Sequence, residues 1–540
     1  MKFFLSIGLF LATNLAAAQS TGASPKLIVG IVVDQMRWDF LYRYSARYRN
    51  DGIRRLLREG FSCENTFIPY TPTVTAVGHT TVYTGSVPAL HGVIGNNWYD
   101  KNLRRVVYCT DDDSVYAVGS SSAAGKMSPK NMWSNTITDE LRIASNFRNK
   151  TIAISLKDRG AILPGGHTAN AAYWFDNSVA GWITSSYYMT ALPVWLKQFN
   201  DRKLPDTYLK QNWTTLYPIN TYKQSTEDDK PYESRFAGIT NTFPHITDTL
   251  RSNRYEAFKN TPQANTYTFD MAKAAIEGEA LGKTAHTDFL AVSLSTPDYV
   301  GHAFGPNSIE IEDVYLRLDK DMADFLRYLD TRIGKGQYLI FLTADHGVAH
   351  VPGFAEEHKM PGRVFGEYAL QKKLSDSVQK RFGVGGVVSS IINYQVYLDN
   401  NLIEQSKTSK KDISQYISSK LLEIEGVANA FPLSEVNTVT LPSKIKMFVS
   451  NGYNQQRSGD VQFILKPQWF SGGRTGTTHG LWNPYDSHIP LLWFGWKIKP
   501  GKTHREVYMS DIAPTLAAML KIQMPNASVG EVILEVIDSK

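Results

Sequence analysis

Leu27-Ile28-Val29-Gly30-Ile31-Val32-Val33 is an unbroken apolar run, rich in β-branched residues, that ends in Asp34. A run of this kind suits a strand covered on both faces, because a strand with one wet face alternates. Four more segments read the same way: TIAISL at 151–156, FLAVSL at 289–294, YLIFLT at 338–343 and IPLLW at 489–493. Helical patterns lie between them, as at Ile309 to Leu329 and Ser510 to Leu520. Strands alternating with helices predict an α/β fold, a mostly parallel central sheet flanked by helices. Stretches rich in Pro, Asn, Tyr and Trp near 180–250, and a second region near 355–475, read as segments inserted into that core.

The composition fits a folded chain. Of 540 residues, 42% are hydrophobic and 20% charged, which excludes a disordered protein and leaves ample material for a core. The net charge of +6 is small for this length and no basic block stands out, so no nucleic-acid partner is expected. Two cysteines, Cys63 and Cys109, exclude a disulfide scaffold and a four-cysteine metal cluster. Whether they pair with each other is left open.

Residues 1–18 read as a secretory signal. Lys2 gives a positive start, Phe3 to Leu15 is nearly continuous apolar sequence, and Ala16-Ala17-Ala18 supplies small residues for cleavage. The run is shorter than the roughly 20 residues that a membrane span needs. A periplasmic or secreted protein without a membrane span is the expectation, with residues 19–540 forming a single unit, and a monomer.

Chemistry gathers at the strand ends. Asp34 follows the first strand, Lys157 and Arg159 follow TIAISL, Asp298 and His302 follow FLAVSL, and Asp345 and His346 follow YLIFLT. Ligands of open α/β sheets bind beyond the carboxyl ends of the strands, so these side chains are predicted to converge. The spacing of Asp298 and His302 puts both on one face of a helical turn. Gly347 permits the bend that adjacent Asp345 and His346 need to share a cluster, and His479 sits in the loop Gly476-Thr477-Thr478-His479-Gly480. Three Asp and three His without a thiolate suit zinc, with manganese the next choice. Six ligands are too many for one tetrahedral ion and suit two ions that keep positions open for substrate.

Thr75 lies in Thr71-Pro72-Thr73-Val74-Thr75-Ala76-Val77-Gly78-His79. Ala76 onward reads as helical, which puts Thr75 at a helix N-terminus, where free N–H groups favour an anion. A threonine hydroxyl is a poor nucleophile unless a metal or base activates it. From spacing alone, a capping role is an equal reading.

Taken together, the motifs resemble the alkaline phosphatase superfamily. The carriers are Val33-Asp34-Gln35-Met36-Arg37, the threonine segment through Thr80, Thr296-Pro297-Asp298 with Gly301-His302, Thr343-Ala344-Asp345-His346-Gly347, and Asp511-Ile512-Ala513-Pro514-Thr515. Val74 to Thr81, Gly95 to Asp100, Ser155 to Arg159 and Pro484 to Pro490 are similar to the PafA-type, phosphate-irrepressible secreted alkaline phosphatases of Bacteroidetes. The resemblance runs from about Lys26 to the C-terminus. It implies a metal-dependent phosphate monoester hydrolase acting through a phosphothreonine on Thr75, with two zinc ions per chain. One zinc would be held by Asp298, His302 and His479. The second would be held by Asp34, Asp345 and His346 and would also bind the Thr75 oxygen. Asn96, Lys157 and Arg159 would hold the phosphoryl oxygens of small phosphorylated substrates. Lys157 and Arg159, two apart on an extension of the strand, are expected to point to one side.

The alternative is a phosphodiesterase or nucleotide pyrophosphatase of the same superfamily. A monoester carries a second negative charge, which rewards the two cations Lys157 and Arg159, whereas a diester prefers an apolar wall. A sulfatase would need a cysteine or serine in a C/S-x-P-x-R context, and neither Cys63 nor Cys109 has one. His79 and His488 read as orienting or structural groups, and Asp486 as a residue that could orient His479.

Overall fold

The computed structural model describes residues 24–367 and 369–537. The signal expected at 1–18 lies outside the described residues.

The run that opens the sequence forms the strand Leu27–Val33, and each of its side chains is buried. It sits at the centre of an 11-stranded sheet. Five strands are parallel in the order Tyr338–Thr343, Leu27–Val33, Asp288–Leu294, Thr151–Ser155 and Ala171–Asp176. Antiparallel strands flank this set, Leu491–Gly495 on one side and Gly181–Ser185 on the other. The sheet is thus mixed, with the expected parallel arrangement at its centre. Ile28, Val29, Ile31 and Val32 are wholly buried, and each contributes about 1.5–3 kcal/mol of hydrophobic stabilisation. Gly30 interrupts the run because a Cβ there would lie 2.5 Å from the Phe341 ring and the Tyr83 hydroxyl.

The helix Ile309–Leu329 begins where Ser308 Oγ accepts the Ile311 N–H, and Glu310 and Glu312 occupy its first turn. Such a cap satisfies a free N–H, and acidic residues at that end suit the helix dipole. Its apolar face packs on the core through Val314, Leu318, Met322 and Phe325.

The two extra regions differ in kind. Leu196, Phe199, Trp213 and Phe236, from the first, belong to the main core. The second forms its own four-stranded antiparallel sheet, ordered Val388–Ile392, Gln395–Leu398, Val461–Leu465 and Val427–Pro432. That sheet has a separate core built on Leu374, Val378, Val396, Ile417 and Phe463. It touches the main unit where Asn393 Nδ2 donates to the Asn97 carbonyl at 2.8 Å. Cys63 and Cys109 are separate buried thiols, and burial pushes the Cys63 thiol up to about 12.

Candidate active site

Strand register brings the acidic residues together. Val33 pairs with Leu294, and Val32 with both Ser293 and Thr343. The three chains therefore leave the sheet at one level. Asp34 follows directly, Asp345 follows after Ala344, and Asp298 lies in the first turn of the helix Thr296–Phe304.

Two groups of three ligand atoms result: Asp298, His302 and His479, and Asp34, Asp345 and His346. Within each group the atoms lie within 4.8 Å of one another. In the first, Asp298 Oδ1 is 3.1 Å from His302 Nε2 and 3.6 Å from His479 Nε2. The rings are aimed by their other nitrogens. His302 Nδ1 bonds the Thr477 carbonyl at 2.8 Å, and His479 Nδ1 bonds the Thr73 carbonyl at 2.7 Å. In the second, His346 Nε2 is 3.5 Å from both Asp34 Oδ1 and Asp345 Oδ2, while His346 Nδ1 bonds the Gly347 carbonyl at 3.0 Å. Carbonyls that accept from Nδ1 leave the Nε2 lone pairs free, the arrangement expected of metal-binding imidazoles. The groups adjoin, since the rings of His346 and His479 stack at 3.5 Å.

The charges are poorly balanced by the protein alone. Asp34, Asp345 and His346 are fully buried. Asp34 Oδ1 and Asp345 Oδ2 have no hydrogen-bond partner. Burial, reinforced by Asp298 and Asp345, pushes the Asp34 carboxyl well above the usual range. Burial, with His346 and His302 nearby, holds His479 well below the usual imidazole range, so it is neutral. Buried, unpartnered carboxylate oxygens beside neutral imidazoles form a donor set that fits divalent cations with mixed oxygen and nitrogen ligands.

Thr75 opens the ten-residue helix Thr75–Thr84 and is buried. Its Oγ1 lies 3.4 Å from His346 Nε2, beside the second group. Asn96 Oδ1 accepts the N–H of Ala76 in the same helix turn at 2.9 Å, which turns the amide toward Thr75. Lys157 Nζ bridges the groups, 2.6 Å from Asp34 Oδ2 and 2.5 Å from Asp298 Oδ2. Arg159 Nη1 donates to Tyr108 Oη at 2.9 Å.

The strand-extension geometry expected for Lys157 and Arg159 is not found. The strand ends at Ser155, Lys157 caps the helix Asp158–Gly165, and Arg159 lies in its first turn. Asp158 supplies the negative charge that favours starting a helix there. Asp486 does not orient His479 either: its Oδ2 accepts from the Leu481 N–H at 2.9 Å, and Thr73 holds His479 instead. His79 lies between the Thr75 helix and Asp345. Its Nδ1 is 2.9 Å from the Thr75 carbonyl and 3.3 Å from Asp345 Oδ2, and its Nε2 is 2.8 Å from Ser293 Oγ. His488 stacks between Trp38 and Phe67. Sequence reading missed Gln35 and Tyr108. Gln35 adjoins a strand-end aspartate, a signal that was available; Tyr108 reaches Arg159 only through tertiary packing.

The sequence profile of the type I phosphodiesterase / nucleotide pyrophosphatase family matches residues 28–489. Alkaline phosphatase PhoV of Synechococcus elongatus is 55% identical, over 96% of this chain and 94% of that protein. A protein of Myroides odoratus named calcium-transporting ATPase is 52% identical, over 95% of each chain. Alkaline phosphatase PafA of Elizabethkingia meningoseptica is 47% identical, over 98% of each. The crystal structure of wild-type PafA superposes with a TM-score of 0.93 over 96% of this chain and 99% of that one. The chain belongs to the type I phosphodiesterase / nucleotide pyrophosphatase family of the alkaline phosphatase superfamily.

Proposed function

We propose that this chain is an alkaline phosphatase, a metal-dependent hydrolase of small phosphate monoesters that works through a phosphothreonine on Thr75. The observation that carries the reading is the position of Thr75 Oγ1, 3.4 Å from His346 Nε2 and so beside the ligand group of Asp34, Asp345 and His346. Asp298, His302 and His479 would hold one zinc ion, and Asp34, Asp345 and His346 the other. Bound there, the ions would supply Lewis acidity that favours the Thr75 alkoxide and neutralises charge on the departing oxygen.

The chain's own groups do the rest. Thr75 Oγ1 gives up its proton to solvent and attacks phosphorus while the ester P–O bond breaks, and the departing alkoxide takes a proton from solvent and leaves as the alcohol. Water then cleaves the phosphothreonine to release inorganic phosphate and restore the hydroxyl. Asn96 donates an amide N–H to a phosphoryl oxygen, and Arg159 offers its planar fork of donors. Lys157 is a point charge at the same oxygens. These donors stabilise charge that builds up in the transition state, and such a donor is worth about 10²–10³ in rate.

The family also holds diesterases, and the two cations Lys157 and Arg159 favour the monoester reading over that alternative. A diester has one charge fewer and an ester group where these cations would sit. We further infer residues 19–540 to be one catalytic unit, with residues 1–18 a leader directing it to the periplasm or outside. No helix among the described residues is long and apolar enough to cross a membrane.

The test compares nitrophenyl phosphate with bis(nitrophenyl) phosphate on purified protein, before and after chelation, for the wild type and Thr75→Ala. Monoester preference lost on chelation and in Thr75→Ala supports the reading. Preference for the bis ester makes the enzyme a diesterase, and phosphate release that survives chelation removes the metal mechanism.

A further inference from the structure

We infer that Tyr108 is a positioning residue that sets Arg159 for the second charge of a monoester; this rests on the phosphoryl-binding role proposed for Arg159. Tyr108 ends the strand Arg105–Tyr108, which pairs with Asn97–Asp100 in a hairpin. Its hydroxyl donates to Asp158 Oδ1 at 2.5 Å and accepts from Arg159 Nη1 at 2.9 Å. The order of the relay is forced. An ionised carboxylate only accepts and a guanidinium only donates, so the one phenol proton goes to Asp158 and a lone pair faces Arg159. Among the described residues this is the one hydrogen bond of the Arg159 side chain, and its Nε is buried without a partner. The remaining donors are thus uncommitted.

The hairpin ties Tyr108 to a second phosphoryl-binding candidate. The Cys109 N–H donates to the Asn96 carbonyl at 2.9 Å. One hairpin therefore holds both Asn96 and the hydroxyl that anchors Arg159. Burial pushes the Tyr108 phenol well above its ordinary range, so its proton is retained at alkaline pH. A long arginine side chain otherwise gives up rotamer freedom when it grips a ligand. An anchor that fixes it beforehand moves that cost out of the catalytic step.

The experiment measures kcat/KM for nitrophenyl phosphate and for methyl nitrophenyl phosphate in the wild type, Tyr108→Phe, Arg159→Ala and the double variant, each with metal content determined. Phenylalanine keeps the ring and removes only the hydroxyl. Tyr108→Phe is expected to lose about tenfold on the monoester, the scale of a hydrogen bond to a charged group. The loss on the diester should be smaller, and adding the change to Arg159→Ala should cost nothing further. An unchanged monoester rate in Tyr108→Phe overturns the inference, as does an equal loss with and without Arg159. If Arg159→Ala itself leaves the monoester rate intact, the role of Arg159 fails and the inference falls with it. An impaired Arg159→Ala beside an intact Tyr108→Phe sinks Tyr108 alone. Should Tyr108→Phe not fold, Asp158→Asn weakens the same relay and is read against Arg159→Ala in the same way.

Discussion

Gln35 and Asp298 are joined across the two ligand groups: Gln35 Nε2 donates to Asp298 Oδ1 at 2.7 Å. The backbone N–H of Gln35 also donates to Asp345 Oδ1 at 3.1 Å. One residue therefore holds a carboxylate of each group. It does so from a left-handed backbone, φ 66°, which costs a non-glycine residue about 1–3 kcal/mol and persists where surrounding contacts enforce it. Gly301 is opposite because a Cβ there would meet Gln35 Oε1. Gln35→Ala keeps the backbone bond and removes the side-chain one. It should weaken metal binding about 10- to 100-fold, as loss of an outer partner of a metal ligand does. Competition with a coloured zinc chelator reads this directly, and unchanged affinity refutes it.

Metal removal should destabilise the fold. Without cations, the buried carboxylates of Asp34 and Asp298 share one lysine, and Asp345 lies among them without a cation of its own. An ion held only by the folded state, at about a thousand times its Kd, adds about 4 kcal/mol of stability. The chelated protein should melt well below the zinc-loaded protein, and back-titration with zinc should restore the difference in proportion to ion bound. Equal melting temperatures would show that the two groups hold no tightly bound ion.

How much of this was legible in the sequence depended on the range of the cause. The strand Leu27–Val33 and the aspartates after the parallel strands could be read, because local hydrophobic patterning fixes which residue leaves the sheet. The turn from Asp298 to His302 could be read because both sit on one helix. The direction of Arg159 could not be read: it is decided by a helix starting at Asp158 and by Tyr108, 51 positions away. The partner of His479 was equally hidden, since the Thr73 carbonyl lies 406 positions off and no side-chain identity marks it.

Lys157→Ala separates charge from geometry. The ammonium is buried and sits between Asp34 and Asp298. Its removal should lower monoester kcat/KM about hundredfold, the scale of a lost transition-state donor, with a smaller effect on a methyl diester. Lys157→Arg should rescue little, because a planar fork does not fit a position built for a compact ammonium. Equal losses on monoester and diester would mean that Lys157 serves the metal ligands and not the phosphoryl charge.

Away from the site, Glu233 gives a stability test in pH. It is 4% exposed, and its Oε2 has no hydrogen-bond partner. Burial, aided by Glu310 and Asp228, pushes its carboxyl up to about 10. The sign follows from proton binding. Between the ordinary glutamate value of 4.5 and about 10, the folded state keeps a proton that the unfolded state releases. Stability from this group is therefore complete below the unfolded value and lost as pH rises toward the folded one. Glu233→Gln replaces the protonated acid with a neutral side chain of the same shape and removes the titration. Melting temperatures of zinc-loaded wild type and variant should differ little near pH 5 and increasingly favour the variant toward about pH 9. A difference that stays flat across that range, or that turns against the variant as pH rises, would mean that Glu233 is ionised in the folded protein and that a cation there balances it.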